Sequence, residues 1–170
     1  MEVSAFDLGS EINKKKVFYR LHQPLWNVDL EGIDISEGRW RTIKYLNEDG
    51  SRLNDLLADV PNDTGGLYLF KIHCPMIPGI SEYPVYIGRV QFTAHQNLRK
   101  RIREYYSDDR PKINRMIETW GNELYLSFLP LDGNERIVDL EEKLINSLLL
   151  PFNDKIPSKE ISAAIKAFQE

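Results

Sequence analysis

At 170 residues the chain is long enough for one full hydrophobic core, or for one domain with a substantial extension. Its 42% hydrophobic and 28% charged content excludes a disordered chain, and no apolar run approaches the roughly 20 residues that span a bilayer, so no membrane helix is expected. The formal net charge of −4 argues against a protein coated in nucleic acid.

Residues 1–64 give the weakest signals. The polar start, with Asp7, Glu11 and Lys14 to Lys16, is not that of a signal peptide. Lys14 to Leu21 reads as a charged lead-in to a strand or short helix. Ser36 is placed to cap a helix through Asn47, with Trp40, Ile43 and Leu46 inward. A second helix is predicted from Arg52 to Val60, because Leu53, Leu56, Leu57 and Val60 share one face and Pro61 ends it. Without a flexible linker before Gly65, this part is expected to pack on the rest. Arg39, Trp40 and Arg41 are candidates for substrate recognition there.

From Gly65 to Gly88 the pattern changes. Gly66 to Phe70 and Val85 to Gly88 are short runs of β-branched and aromatic residues bounded by turn residues, and each predicts a strand. The connection from His73 to Tyr83 carries Pro75, Pro78 and Gly79, which suit neither a helix nor a central strand. The pair is an antiparallel hairpin in which each strand holds a tyrosine beside a glycine. The glycine permits close approach, and the phenol can donate, accept or, with a lowered pKa, take a proton. The single Cys74 cannot form an internal disulfide, so a reducing cytoplasm is the expected location, and one cysteine with three histidines has no zinc spacing.

Beyond the hairpin, Val85 to Met116 holds eight basic residues against three acidic ones, a local charge of +5 on an acidic protein. A stripe of that kind suits a focused phosphate contact or a solvated helix face. Ala94 to Tyr106 predicts a helix with Leu98, Ile102, Tyr105 and Tyr106 inward and Arg101 along the same side. Arg99, Lys100 and Arg103 point more outward. Pro111 opens a further helix through Trp120, Leu124 to Pro130 forms a third strand, and Glu135 to Leu149 a helix. Ser158 caps a last helix from Lys159 to Gln169.

Glu141 falls on the apolar face of its helix, between Ile137 and Leu144. An inward carboxylate costs several kcal/mol unless it is paired or bound to a cation. A salt bridge to Arg101 or Arg89 would satisfy it, and so would Mg²⁺, for which one carboxylate suffices when waters and a substrate phosphate complete the shell.

These residues resemble the signature of the GIY-YIG nuclease superfamily. The two strand motifs are Gly66-Leu67-Tyr68 and Tyr86-Ile87-Gly88, followed in order by Arg101, Tyr105, Glu141 and Asn153. The likeness runs from about Gly65 to Asp154 and implies an α+β fold, a three-stranded antiparallel sheet flanked by helices. It divides the chain into an N-terminal extension (1–64), a nuclease-like domain (65–156) and a C-terminal helix (157–170). It further implies hydrolysis of DNA with one Mg²⁺ or Mn²⁺ ion on Glu141, Arg101 on the scissile phosphate, and Tyr68 or Tyr86 helping to deprotonate water. Tyr105 and Arg89 would support these groups, Asn153 would fix the site, and Arg99, Lys100 and Arg103 would contact the DNA. A double-strand cutter with one site per chain would act as a homodimer or by two nicks. The chain departs from the family pattern in Leu67, in a longer hairpin loop, and in Arg89, where lysine is frequent. A non-catalytic nucleic-acid-binding module on the same fold is the alternative.

Overall fold

The computed structural model describes residues 4–30, 32–77 and 80–168. In chain order these form α1 (Ala5–Lys14), β1 (Arg41–Lys44), β2 (Gly65–His73), β3 (Glu82–Val90), α2 (Leu98–Glu104), α3 (Pro111–Trp120), β4 (Leu124–Leu131), α4 (Asn134–Leu148) and α5 (Lys159–Ala167). Pro78 and Gly79 of the hairpin loop, and Gln169 at the predicted end of the last helix, lie outside the described residues.

The sheet has four strands, not three, in the order β1-β4-β2-β3 and antiparallel throughout. The extra strand comes from the stretch predicted as a helix between Ser36 and Asn47. Trp40, Ile43 and Leu46 sit at helical spacing, but Ile43 and Tyr45 also alternate. Pairing with β4 decides for the strand, with Ile43 opposite Leu126 and Tyr45 buried. Trp40 still faces inward, its indole N–H donating to the Ile35 carbonyl at 3.0 Å. The helix predicted over 52–60 is only a 3₁₀ turn at Asp55–Asp59, because Leu53 pairs with Leu46 and Asn54 caps the turn through Leu56 N–H. Likewise α2 begins at Leu98 rather than Ala94. The Thr93 hydroxyl accepts from the His95 and Gln96 amides, which holds that stretch in a turn, and Asn97 supplies the cap.

Strand alternation sorts the core into two layers. Tyr68, Phe70, Tyr86, Leu126 and Phe128 face α2 and α3, where Leu98, Ile102, Ile113 and Met116 meet them. Leu67 and Ile87 face the other way, toward Ile137, Leu140, Leu144 and Ile145 of α4. A bulge at Val85 shifts the register, so that Tyr86 opposes Phe70 while Pro84 opposes Lys71. β3 is an edge strand. Its open side is covered where the chain leaves α4 through Leu149, the one non-glycine residue with positive φ (48°) among those described, and Phe152 N–H then donates to Val85 O at 2.9 Å.

Candidate active site

β2 and β3 place Tyr68 opposite Gly88, and the helix-to-turn junction after α2 brings Tyr105 over both strands. The Tyr105 phenolic oxygen stands 2.8 Å from that of Tyr68 and 2.9 Å from that of Tyr86. Tyr68 also reaches the Arg89 carbonyl at 3.2 Å. A carbonyl only accepts, and each phenol has one proton. The arrangement that satisfies every contact is therefore directional: Tyr86 donates to Tyr105, Tyr105 to Tyr68, and Tyr68 to Arg89. Tyr105 and Tyr68 are 0% and 1% exposed, whereas Tyr86 is 9% exposed and forms the outer end of the chain. Its proton points inward, and on its outer side the Arg110 side chain stands against the oxygen.

A lowered phenol pKa is not what this site produces. Burial pushes Tyr68 and Tyr86 well above the ordinary phenol value, and the neighbouring Tyr105 adds to it. Arg101 opposes the rise at Tyr68 and Arg110 opposes it at Tyr86. Tyr105 meets the other two rings edge-on, with centroids 5.5 Å from that of Tyr68 and 5.6 Å from that of Tyr86.

Two guanidinium groups lie against the Tyr105 ring, Arg101 at 4.9 Å and Arg110 at 5.3 Å from its centroid. Arg101 Nη2 approaches the Tyr105 oxygen at 3.5 Å, and its Nη1 donates to Glu104 at 3.2 Å. Arg110 is held by Asp108, Nη2 to Oδ2 at 2.7 Å. Burial disfavours the charge on Arg101, but Tyr68 and Tyr105 more than offset this and keep it firmly protonated. Sequence reasoning counted Arg110 only within the basic stripe and gave it no place in the site. The available signal was the Asp108-Asp109-Arg110-Pro111 turn, in which Asp108 caps the Arg110 amide at 2.9 Å.

Glu141 lies across the sheet from the phenols, on the α4 side. Of the two salt bridges that the sequence allowed, the one to Arg89 forms, Nε to Oε2 at 2.7 Å; the one to Arg101 does not. Burial raises the Glu141 carboxyl pKa and Arg89 opposes the rise. Arg89 thus joins the two halves: its carbonyl takes the Tyr68 proton on one face while its side chain holds Glu141 on the other. Asn153 acts on the strand between them. Its side-chain oxygen accepts from Ile87 N–H at 3.0 Å and its amide donates to Ile87 O at 2.8 Å, as a neighbouring strand would.

The remaining basic residues stand apart from this group. Arg99 Nε donates to the Val60 carbonyl at 2.6 Å and Lys100 Nζ to the His95 carbonyl at 2.7 Å. With Arg103 they line a separate surface recess of about 580 Å³. Among the described residues no group of three or more His, Cys, Asp or Glu side chains comes together, so an all-protein metal cage is not formed. One partly buried carboxylate remains, and that donor set suits Mg²⁺, which keeps most of its waters and completes its shell with phosphate oxygens.

No family model matches the chain, and no curated protein matches it in sequence. Among solved structures it is similar to the GIY-YIG N-terminal endonuclease domain of UvrC from Thermotoga maritima bound to its catalytic divalent cation, magnesium. That match has 22% identity and a TM-score of 0.42, over 59% of this chain and 99% of the other. An asparagine-to-alanine point mutant of that domain, also bound to its catalytic divalent cation, is similar at 20% identity and a TM-score of 0.43, over 61% of this chain and 100% of the other.

Proposed function

We propose that the chain is an endonuclease that hydrolyses DNA phosphodiester bonds with one divalent cation, Mg²⁺ or Mn²⁺, held by Glu141. The observation that carries this reading is the strand β3, which bears Tyr86 on the face where Arg101 lies against the phenols and, through the Arg89 side chain, holds the mostly buried Glu141 carboxylate on the other. Arg101, whose partly exposed guanidinium lies on the Tyr105 ring, neutralises charge that builds on the scissile phosphate. Tyr86 accepts a hydrogen bond from the attacking water, because its own proton is committed to Tyr105. Tyr105 and Tyr68 are too deeply buried to touch substrate and act as positioning residues. Asn153 holds the strand on which Tyr86, Gly88 and Arg89 are carried. Arg99, Lys100 and Arg103 extend the positive surface along the DNA backbone. Glu141 would hold the divalent cation, which would supply Lewis-acid stabilisation of the phosphate and a more acidic water.

The test is nicking of supercoiled plasmid with Mg²⁺ and again with EDTA, using the parent and Arg101→Ala. Cleavage by the parent with Mg²⁺ alone, lost in the variant, is the expected result. The existing Arg89–Glu141 pair, which satisfies both charges without metal, favours a second reading, a binding module on the same fold. Salt-sensitive DNA binding with no nicking at any Mg²⁺ concentration would establish that reading and exclude the first.

A further inference from the structure

Glu141 is only 16% exposed, and the side-chain donor that Arg89 gives its carboxylate is Nε alone, with the Arg89 backbone amide beside it. The guanidinium does not grip it with both arms, since Nη1 is turned to the Gln91 side-chain oxygen at 3.3 Å. The backbone of Arg89, by contrast, is fixed on both sides: it pairs with Leu67 in the sheet, its carbonyl accepts from Tyr68, and Asn153 clamps Ile87 two residues earlier. Only the side chain is left to move, and at 30% exposure it has a way out to solvent. A partly desolvated carboxylate needs one cation and gains little from two that repel each other.

We infer that Arg89 is a built-in occupant of the cation position, holding Glu141 in the metal-free protein and swinging toward the substrate phosphate when a divalent cation takes the carboxylate. This rests on the metal-dependent reading above. Arginine suits the exchange because it stays charged at every working pH and offers a planar fork to a phosphate once its Nε is released. The two events are linked and therefore reciprocal: a cation that frees Arg89 for phosphate must bind less tightly for having Arg89 to displace. Cation and DNA would then each raise the affinity for the other, and the metal-free protein would present a weaker positive surface than its arginine count suggests.

Mn²⁺ binding to the full chain, followed by the electron paramagnetic resonance of free Mn²⁺, tests the exchange. Arg89→Met is expected to bind Mn²⁺ about tenfold more tightly than the parent, within the usual range of coupling between sites. A measurement on the parent alone removes any dependence on how well the variant folds. The Arg89 Nε–Hε nuclear magnetic resonance signal should be protected by Glu141 without metal, and should shift and exchange with water as Mg²⁺ is added. Unchanged or weaker Mn²⁺ binding in Arg89→Met overturns the inference and leaves the nuclease reading standing. So does an Arg89 signal still protected at saturating Mg²⁺. Absence of Mn²⁺ binding in both proteins, together with absence of nicking, overturns both.

Discussion

A Cβ added to Gly88 would stand 2.7 Å from the phenolic oxygen of Tyr68, inside the space that its ring occupies. The two residues are directly opposed across β2 and β3, so the absent side chain of one is what leaves room for the ring of the other beside Tyr105. Gly88→Ala must push the Tyr68 ring away and with it the middle of the phenol chain. The expected cost is about 1–3 kcal/mol, typical of overpacking in a close-packed core. Urea denaturation measures it, and a variant as stable as the parent would show that the ring is free to move.

Tyr105→Phe should cost more than Tyr86→Phe. Removing the central oxygen leaves Tyr86 without an acceptor and Tyr68 without a donor, whereas removing the outer one takes a donor from Tyr105 alone, which Arg101 Nη2 still approaches at 3.5 Å. Unsatisfied buried groups cost roughly 1–3 kcal/mol each. Denaturant midpoints for the two variants give the comparison, and equal losses would contradict the direction assigned to the chain.

Arg101→Ala is expected to lower cleavage by at least about 100-fold, the usual loss for one electrostatic stabiliser of a transition state. Stability should change little, because its ion pair with Glu104 is only 3.2 Å long and solvated at 31% and 37% exposure. Arg101→Lys should recover only part of the activity, since an ammonium cannot make the two-armed phosphate contact. Full activity in the lysine variant would show that charge alone is used.

The Asp108–Arg110 pair predicts a pH dependence of stability. The hydrogen bond from Arg110 holds the Asp108 carboxyl below its ordinary value, against the effect of burial. A carboxyl whose pKa is depressed on folding stabilises above its unfolded value of about 3.9, and that contribution is lost as pH falls through the folded value. Asp108→Asn should therefore be less stable than the parent by roughly 1 kcal/mol at neutral pH, after allowance for the solvent around Arg110. The difference should close below about pH 4. Melting curves across pH 2–8 check this, and a gap that persists at the acid end would mean that the charge is not involved.

The tyrosine strands were legible because each is a run of apolar residues stopped by turn residues, and α4 because Ile137, Leu140 and Leu144 repeat at helical spacing. Glu141 could be picked out for the same reason, as a charge on an apolar stripe. β1 was not legible, because the periodicity of Trp40, Ile43 and Leu46 fits a helix, and only pairing with β4, more than 80 residues on, selects the strand. The resemblance named the three phenols, but no spacing disclosed that their oxygens meet. Tyr68, Tyr86 and Tyr105 come from three elements, and their separation depends on how α2 lies over the sheet. Arg110 was hidden in a different way, since its guanidinium is aimed by a two-residue turn rather than by any repeating pattern.

The side chain of Asn153 occupies both hydrogen-bonding groups of Ile87 from 66 positions further along the chain. During synthesis the β2–β3 hairpin is complete long before that residue emerges from the ribosome, so for an interval the nascent protein carries a bare strand edge, a template for pairing with another molecule. The closing bond can form only after α4 has been made. A product released early, before Phe152 and Asn153, would keep α4 and most of both core layers but leave that edge open. Such a fragment would be expected to self-associate by strand addition, and size-exclusion chromatography of residues 1–150 beside the full chain would reveal it.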